Sequence, residues 1–309
     1  MVPRSSLAGV LSARSLRLPR PRHHACDLDR RESGLAPVRT RFGQPARIRA
    51  LFPAHLTQEH LSHFHQDKTM APLPLFYSSI IVLDRNTHRE SRLAPVEKPY
   101  AFAASTHVLP ALVAEFAVGC RDMPILFLEE PAGISPLFMV GMRSAESCFV
   151  DADGRWRGQH PPAYLRRYPF IGGEVSAQQQ VICIDGGYAG LQDKEGERLF
   201  TEAGEPGDAL QRIITFVGEY ADAAKVTAAF TAELKALDLL QTINIEIRSP
   251  DGASSNFSGF AAVSEERFNA LSDEALLELK RKGYLAPIYA HLISLANFAL
   301  LGERAATRA

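Results

Sequence analysis

The chain has 309 residues, of which 46% are hydrophobic and 22% are charged, and its formal net charge is -1. This composition provides enough apolar residues for a sizeable core and excludes collagen-like, wholly disordered and disulfide-rich classes of protein. The four cysteines lack the spacing of a CxxC metal or redox motif. No window of about 18 residues is free of polar interruption, so we expect a soluble protein without a transmembrane segment.

Residues 1–69 differ from the rest of the chain in charge and in pattern. They hold 12 basic and five acidic residues, whereas residues 70–309 hold 22 basic and 30 acidic residues. The segment shows no sustained helical or strand period, so it is predicted to be a disordered or mis-assigned N-terminal extension. A transit peptide over residues 1–22 is the alternative. We favour translation from Met70, since the hydrophobic pattern begins there and an AGGA run can precede its codon.

Four histidines of this N-terminal segment resemble a metal cluster by composition alone. They are His55, His60, His63 and His65. No Cys or carboxylate spacing of a known site accompanies them, so no metal site is predicted. The acidic remainder of the chain argues against binding to nucleic acid, because such binding depends on a basic surface.

The first half of the acidic part is patterned mainly as strands. Short runs of β-branched, aromatic and other apolar residues predict them at 75–83 (as one strand or two), 124–128, 137–142 and 181–185. Between the first two runs, His107 to Cys120 predicts a helix, because its apolar residues share one helical face. Cys148 to Trp156 predicts a hairpin that turns at Gly154.

The second half is patterned mainly as helices. Apolar residues spaced by three and four predict a long helix from Asp208 towards Leu240. Strands at 242–247 and 257–263 follow, joined by a turn at 249–252. Ser264 and Ser272 are expected to cap two short helices, and 287–301 predicts a final helix that is buried because it is apolar almost all round.

Strands that come early and helices that come late, without regular βαβ alternation, predict an α+β fold. Its strands are expected to be mainly antiparallel in the first half of the body, and its helices to be concentrated in the C-terminal part. We expect residues 70–303 to form a single domain, followed by a short tail at 304–309. The sequence contains no GxGxxG, P-loop or GxSxG motif, so common nucleotide-binding and hydrolase folds are disfavoured.

Short blocks of sequence along the body carry a family resemblance. They are 100–103, 114–116, 124–127, 154–156, Tyr164 with 166–170, 183–185, and 289–292 with Ser294, Leu295 and Asn297. With these blocks, residues 70–302 resemble the SapC family of bacterial proteins, which is named for a gene linked to a surface layer. The resemblance implies association with a surface-layer or cell-envelope system, and it implies no particular reaction. It also implies a start near Met70, where members of the family usually begin.

Arg166 and Arg167 are the first candidates for ligand binding, because a guanidinium can hold a carboxylate or phosphate through two parallel hydrogen bonds. The alternative, which we favour for at least one of them, is a structural role beside an acid such as Glu115 or Asp185. In an extended segment, adjacent side chains point to opposite sides. One arginine can therefore pack inward while the other faces a pocket or solvent.

His291, Ser294 and Asn297 recur every three residues on the predicted last helix. A buried, fully hydrogen-bonded network is the favoured interpretation, and a ligand site in which His291 acts as a base is the alternative. Trp156, the single tryptophan, is expected to pack against residues 166–170. It completes the candidate ligand-binding set of Arg166, Arg167, His291 and Trp156, for which no catalytic role is assigned.

Two functions fit these observations. The leading hypothesis is a non-catalytic binding or accessory protein of a bacterial surface-layer or cell-envelope system, with an envelope or surface-layer protein as its partner and no cofactor. The alternative is an enzyme, or the partner of an enzyme, that acts on an anionic small molecule or peptide held by Arg166 and Arg167. A start at Met70 predicts a cytoplasmic location, with association with the envelope as the alternative.

Overall fold

The computed structural model describes residues 49–50, 73–176, 179–248 and 254–307. All of them belong to one compact unit that spans 46–309. The predictions of an N-terminal extension, a start at Met70 and no metal site at the histidine cluster concern residues outside the described ranges, apart from 49–50. The predicted turn at 249–252 also lies outside them.

The described residues form an α+β fold, as predicted. The strands are β1 (Arg49–Ala50), β2 (Ile80–Val82), β3 (Arg92–Leu93), β4 (Val108–Pro110), β5 (Ile125–Glu130), β6 (Gly133–Met139), β7 (Phe170–Ser176), β8 (Gln179–Asp185), β9 (Leu191–Gln192), β10 (Glu197–Arg198), β11 (Leu240–Arg248) and β12 (Ser254–Val263). The helices are α1 (Phe116–Gly119), α2 (Ala163–Arg167), α3 (Asp208–Ala236), α4 (Glu265–Asn269), α5 (Asp273–Arg281), α6 (Leu285–Ser294) and α7 (Asn297–Ala306). Most strands precede α3, and the longer helices follow β10, so the predicted order of elements is confirmed.

The strands form three antiparallel sheets. The largest has the order β11-β12-β5-β6-β4, a second has the order β1-β7-β8-β2, and the smallest has the order β10-β3-β9. In β5, Ile125, Leu126 and Phe127 are all fully buried. Since neighbouring side chains of a strand point to opposite faces, the five-stranded sheet is covered on both sides along the first half of β5. Helix α3 packs against β6, and α6 packs against β5 and β12.

Helix α3 confirms the long helical prediction and joins the parts of the fold. Its buried residues include Val217, Tyr220, Phe230 and Leu234, at the spacing of one helical face. The second half of the helix contributes to the main core, whereas its first turns pack with the smallest sheet through Leu199, Phe200, Ala209 and Leu210. The same helix therefore borders both the core and the region around β10-β3-β9.

The predicted helix from His107 to Cys120 is wrong over its first half. Val108–Pro110 is strand β4, and Val108 pairs with Met139 of β6. Only a 3₁₀ turn at Val113–Glu115 and the single turn of α1 are helical. The apolar spacing fits a helix, but a helix here would leave the main-chain groups at the edge of β6 unpaired. As a strand, β4 pairs with that edge, and Val108 and Leu109 become buried.

Two further predictions are corrected by local geometry. Of residues 75–83, only Ile80–Val82 form a strand, because Phe76 has a positive φ of 80° that ends the extended run. The predicted final helix is two helices that bend by 41° between α6 and α7. At the bend, the amides of Leu295 and Ala296 donate to the carbonyls of Leu292 and Ile293, three residues back. This 3₁₀-type turn is tighter than an α-helical turn and interrupts the regular α-helix.

The bent pair is also only partly buried. Ile288 and Leu301 lie in the core, whereas Tyr289, Ile293 and Leu300 are exposed, so the prediction of a helix buried on nearly all sides is wrong. Within the described ranges, no single helix has the length and apolar character to cross a membrane, although α6 and α7 taken together do by those two criteria alone.

The short-range predictions hold. The Ser264 hydroxyl accepts from the amide of Arg267 at 3.4 Å, and the Ser272 hydroxyl accepts from the amide of Ala275 at 3.3 Å, so both serines cap their helices. Gly154 turns the predicted hairpin with a φ of 67°, which favours glycine. Val150 and Trp156 are paired across this turn.

Candidate functional site

The two adjacent arginines occupy the last turn of α2. Consecutive residues of a helix point about 100° apart, and this difference gives the two side chains different exposure. Arg167 is only 3% exposed, whereas the side chain of Arg166 is 39% exposed. The segment is helical rather than extended, yet the expected division into one inward and one outward arginine is found.

Arg167 is stacked between two buried tyrosine rings. Its guanidinium carbon lies 4.4 Å from the centroid of Tyr164 and 4.6 Å from that of Tyr220. Burial raises the pKa of both phenols, so both rings are neutral and present the negative faces of their π systems to the cation. Arg167 therefore joins α2 to α3 through aromatic contacts.

Arg166 is held more loosely. Its Nε donates to the carbonyl of Pro161 at 3.2 Å, and its guanidinium carbon lies 5.1 Å from the centroid of the Phe216 ring. One of its terminal nitrogens is 3.9 Å from Oε1 of Glu115, too far for a strong hydrogen bond. The guanidinium of Arg166 can therefore bind a further anion without leaving its aromatic support.

Glu115 is a buried carboxylate that organises the segment before α2. Its Oε1 accepts from the amide of Ala163 at 2.7 Å and lies 3.0 Å from Nε2 of His160. The predicted pairing of an arginine with Glu115 is thus present, but through Arg166 and only weakly. The other predicted acid, Asp185, lies elsewhere and contacts neither arginine by an ion pair among the described residues.

Asp185 instead fixes the turn before β2. It accepts hydrogen bonds from the amides of Ser78 and Ser79, both at 3.0 Å, and from the Tyr168 hydroxyl at 2.8 Å. Burial opposes its ionisation, but these donors, led by the Ser79 amide, hold the pKa of the carboxyl below its usual value. Asp185 is therefore a structural residue that ties two segments of the four-stranded sheet together.

A cleft of about 670 Å³ opens beside α2, within the size range of small-molecule sites. It lies between the first turns of α3, the end of α2, and the smallest sheet. The residues that line it are Leu93, Ala94, Pro95, Arg166, Arg167, Phe170, Tyr188, Gly196, Glu197, Ala209, Arg212, Ile213, Phe216 and Val217. The lining thus contains three arginines and one glutamate on an otherwise mainly apolar surface, and it forms a positive site on an acidic body.

One ion pair lies at this cleft. Arg212 of α3 pairs with Glu197 of β10, and their side chains are 65% and 64% exposed. Neither residue was predicted from the sequence as part of a site. Arg212 and Phe216 are four residues apart on the predicted helix, so their shared face could have been found from the sequence. Glu197 has no such signal, because only the pairing of β10 with β3 places it there.

His291 does not line the cleft. Its ring is fully buried, its Nδ1–H donates to the carbonyl of Ile125 at 3.0 Å, and its Nε2 accepts from the amide of Val263 at 3.0 Å. Both ring nitrogens are satisfied, and the donor at Val263 requires the proton to be on Nδ1. Burial lowers the pKa of His291 to about 4, so the ring is neutral near pH 7.

The two polar residues that follow His291 extend the same network. The Ser294 hydroxyl donates to the carbonyl of His291 at 2.6 Å and accepts from the amide of Ile125 at 2.9 Å. Asn297 donates to the carbonyl of Cys120 at 2.7 Å. This is the hydrogen-bonded core network favoured by the sequence analysis, and it fastens α6 and α7 to the edge of β5 and to α1.

Trp156 also lies outside the cleft. It stacks on Phe149 with ring centroids 5.1 Å apart and meets Tyr100 edge-on at 6.4 Å. Tyr100 contacts Phe102, which lies 4.1 Å from Tyr168, so Trp156 reaches the 166–170 segment through two intervening rings rather than by the expected direct packing. The structure therefore brings together Arg166 and Arg167, but neither His291 nor Trp156 joins them. Among the residues that it describes, no group of three His, Cys, Asp or Glu side chains could hold a metal ion.

Replacing Arg167 by lysine is expected to lower the free energy of unfolding by about 1–2 kcal/mol, because an ammonium cannot stack as a plane between Tyr164 and Tyr220. The matched change Arg166→Lys is expected to cost less than about 0.5 kcal/mol, as at other exposed sites. Urea denaturation of both variants measures the difference. Equal losses would contradict a structural role that is specific to Arg167.

Comparison with known proteins adds one finding to this geometry. The family model SapC matches residues 83–301, which include every element from β3 to α6 and every residue that lines the cleft. No curated protein and no solved structure is significantly similar to the chain. Because the match covers most of the sequence, this chain belongs to the SapC family.

Proposed function

We propose that this chain is a non-catalytic binding or accessory protein of a bacterial surface-layer or cell-envelope system, and that it binds an anionic ligand in the cleft beside α2. Membership of the SapC family supports this proposal, because the resemblance to that family implies association with a surface-layer or cell-envelope system. An envelope or surface-layer protein is the proposed partner. We propose a cytoplasmic location for a chain that starts at Met70, in association with the envelope system.

One observation carries the proposal of a ligand. Arg166 presents a partly exposed guanidinium above Phe216, at a cleft with room for a small molecule. The side chain is supported by its stacking and by the Pro161 carbonyl, yet its distance to Glu115 leaves donors for a further acceptor. A preorganised arginine of this kind loses little conformational entropy on binding an anion.

An enzyme is the second candidate, and a specific pair of residues favours it. The buried carboxylate of Glu115 contacts Nε2 of His160, and the same carboxylate lies near Arg166. A carboxylate that orients an imidazole is a common arrangement for proton transfer. Here Arg166 would hold the anionic group and His160 would move the proton. If the wild type converts a bound molecule, and the His160→Gln variant still binds that molecule but no longer converts it, this function would be established.

The binding proposal is tested with 8-anilinonaphthalene-1-sulfonate, an anion with apolar rings that fluoresces when it binds. We expect the Arg166→Gln variant to bind this probe about tenfold more weakly, since one charge-assisted hydrogen-bonding group is lost. Arg143→Gln is the control, because Arg143 is similarly exposed and pairs with Glu146 away from the cleft. Similar losses in the two variants, or no binding by the wild type, would contradict the proposal.

A further inference from the structure

The cleft has two chemically different parts. Phe170, Ile213 and Val217 belong to its apolar lining, and the lining contains no more than one carboxylate, that of Glu197. Its positive charge comes from three arginines, and the guanidinium of Arg167 is buried against the two tyrosine rings. Arg166 and Arg212 therefore remain as the charges that a ligand can reach.

These two arginines line the cleft together with Phe216. Residues four apart on a helix lie about 5–6 Å from each other on the same face, so Arg212 is one turn from Phe216. The guanidinium carbon of Arg166 lies 5.1 Å from the ring of Phe216. Arg166 from α2 and Arg212 from α3 thus both line the cleft near Phe216, the first through its contact with the ring and the second through its place one turn earlier on the same helix.

A carboxylate already occupies this part of the cleft. Glu197 pairs with Arg212, and both side chains are about two-thirds exposed. Exposed ion pairs contribute little to stability, so a ligand can displace Glu197 at little cost. Glu197 stands on β10, a strand of two residues at the edge of the smallest sheet, and its side chain can turn to solvent without breaking the pairing of Glu197 with Leu93.

Resting on the proposed function, we propose that the ligand is an amphipathic carboxylate. Its carboxylate takes the place of the Glu197 side chain on Arg212 and also contacts Arg166, while its apolar part covers Phe170, Ile213 and Val217. Glu197 is then a specificity residue that competes with the ligand for Arg212. It lowers the affinity of every anion for Arg212 by a small factor, and a ligand that also buries apolar surface readily overcomes this competition.

The sign of the effect of Glu197 makes this inference testable. Removing the competing charge in Glu197→Gln is expected to tighten the binding of decanoate about threefold to fivefold, because Arg212 is then free to receive the probe and the exposed ion pair that is lost is a weak one. Decanol carries the same chain without the charge, so its affinity is expected to change by less than twofold. Arg212→Gln is expected to weaken decanoate binding, which isothermal titration calorimetry measures directly.

Glu90→Gln is the matched control. Glu90 is as exposed as Glu197 and pairs with Arg198, the neighbour of Glu197 on β10, but it does not line the cleft. An equal gain in Glu90→Gln would reveal a general charge effect and overturn the inference, as would unchanged decanoate affinity in Glu197→Gln. If decanoate binding depends on Arg166 but not on Glu197, only this inference fails. If neither decanoate nor the fluorescent anion binds to the wild type, the proposed function fails as well.

Discussion

Replacing Phe230 by alanine is expected to lower the free energy of unfolding by about 3–5 kcal/mol. Phe230 is fully buried on α3, and its ring meets Phe116 at 5.9 Å and Tyr284 at 5.2 Å, both edge-on. Alanine would leave a cavity between α3, α1 and the start of α6, and it would remove both aromatic contacts. Urea or thermal denaturation followed by circular dichroism measures the loss.

Val226→Ala is the control for this prediction. Val226 lies one turn before Phe230 on the same helix, but it is 54% exposed. Its loss is expected to change stability by no more than about 0.5 kcal/mol, as at other surface positions. A comparable loss in the two variants would contradict the packing of Phe230 on the core as the source of the effect, because alanine has the higher helix propensity and by itself would not lower stability.

Acid is expected to destabilise the protein through His291. The unfolded chain binds a proton at the ordinary histidine pKa of 6.5, whereas the folded chain does so only at a pKa of about 4. Between these values the unfolded state binds more protons, so stability falls as the pH falls from 6.5 towards 4. This linkage amounts to a loss of about 2 kcal/mol at pH 5 and about 3 kcal/mol near pH 4.

The His291→Gln variant isolates this contribution. Glutamine does not titrate, so the variant is expected to be less stable near pH 7 but to lose about 2 kcal/mol less than the wild type between pH 7 and pH 5. Other groups, including buried His107, titrate in both chains and cancel in the difference. Parallel stability curves, or an NMR titration of the His291 ring with a pKa near 6.5, would contradict the buried neutral imidazole.

Local patterns in the sequence were sufficient for many of the elements. The spacing of apolar residues after Asp208 predicted α3, because apolar residues repeated every three or four positions over 29 residues form a single face only in a helix. Ser264 and Ser272 predicted two helix starts, because a cap depends on the amides only three residues away. The apolar run before Glu129 predicted β5, and short blocks of sequence along the body predicted the SapC family.

The candidate site was predictable only in part. The adjacent arginines and their aromatic neighbours were visible in the sequence, and so was the idea that one would pack inward. The structure identified Arg167 as that residue, because Tyr220 comes from α3, which begins 41 residues later in the chain at Asp208. The ion pair of Arg212 with Glu197 was not predictable, since a strand of two residues gives no periodic signal.

The sequence by itself determined the α+β class, the long helix, the capped helix starts and the family, because each depends on neighbouring residues or on a linear pattern. The tertiary structure alone decided that His107 to Cys120 begins as a strand, since the edge of β6 supplies the partners. It also decided that His291 serves the core rather than the cleft, because Ile125 and Val263 reach its two nitrogens from distant strands. Main-chain pairing and burial of this kind depend on contacts between segments that are far apart in the chain, and a local sequence pattern does not specify those contacts.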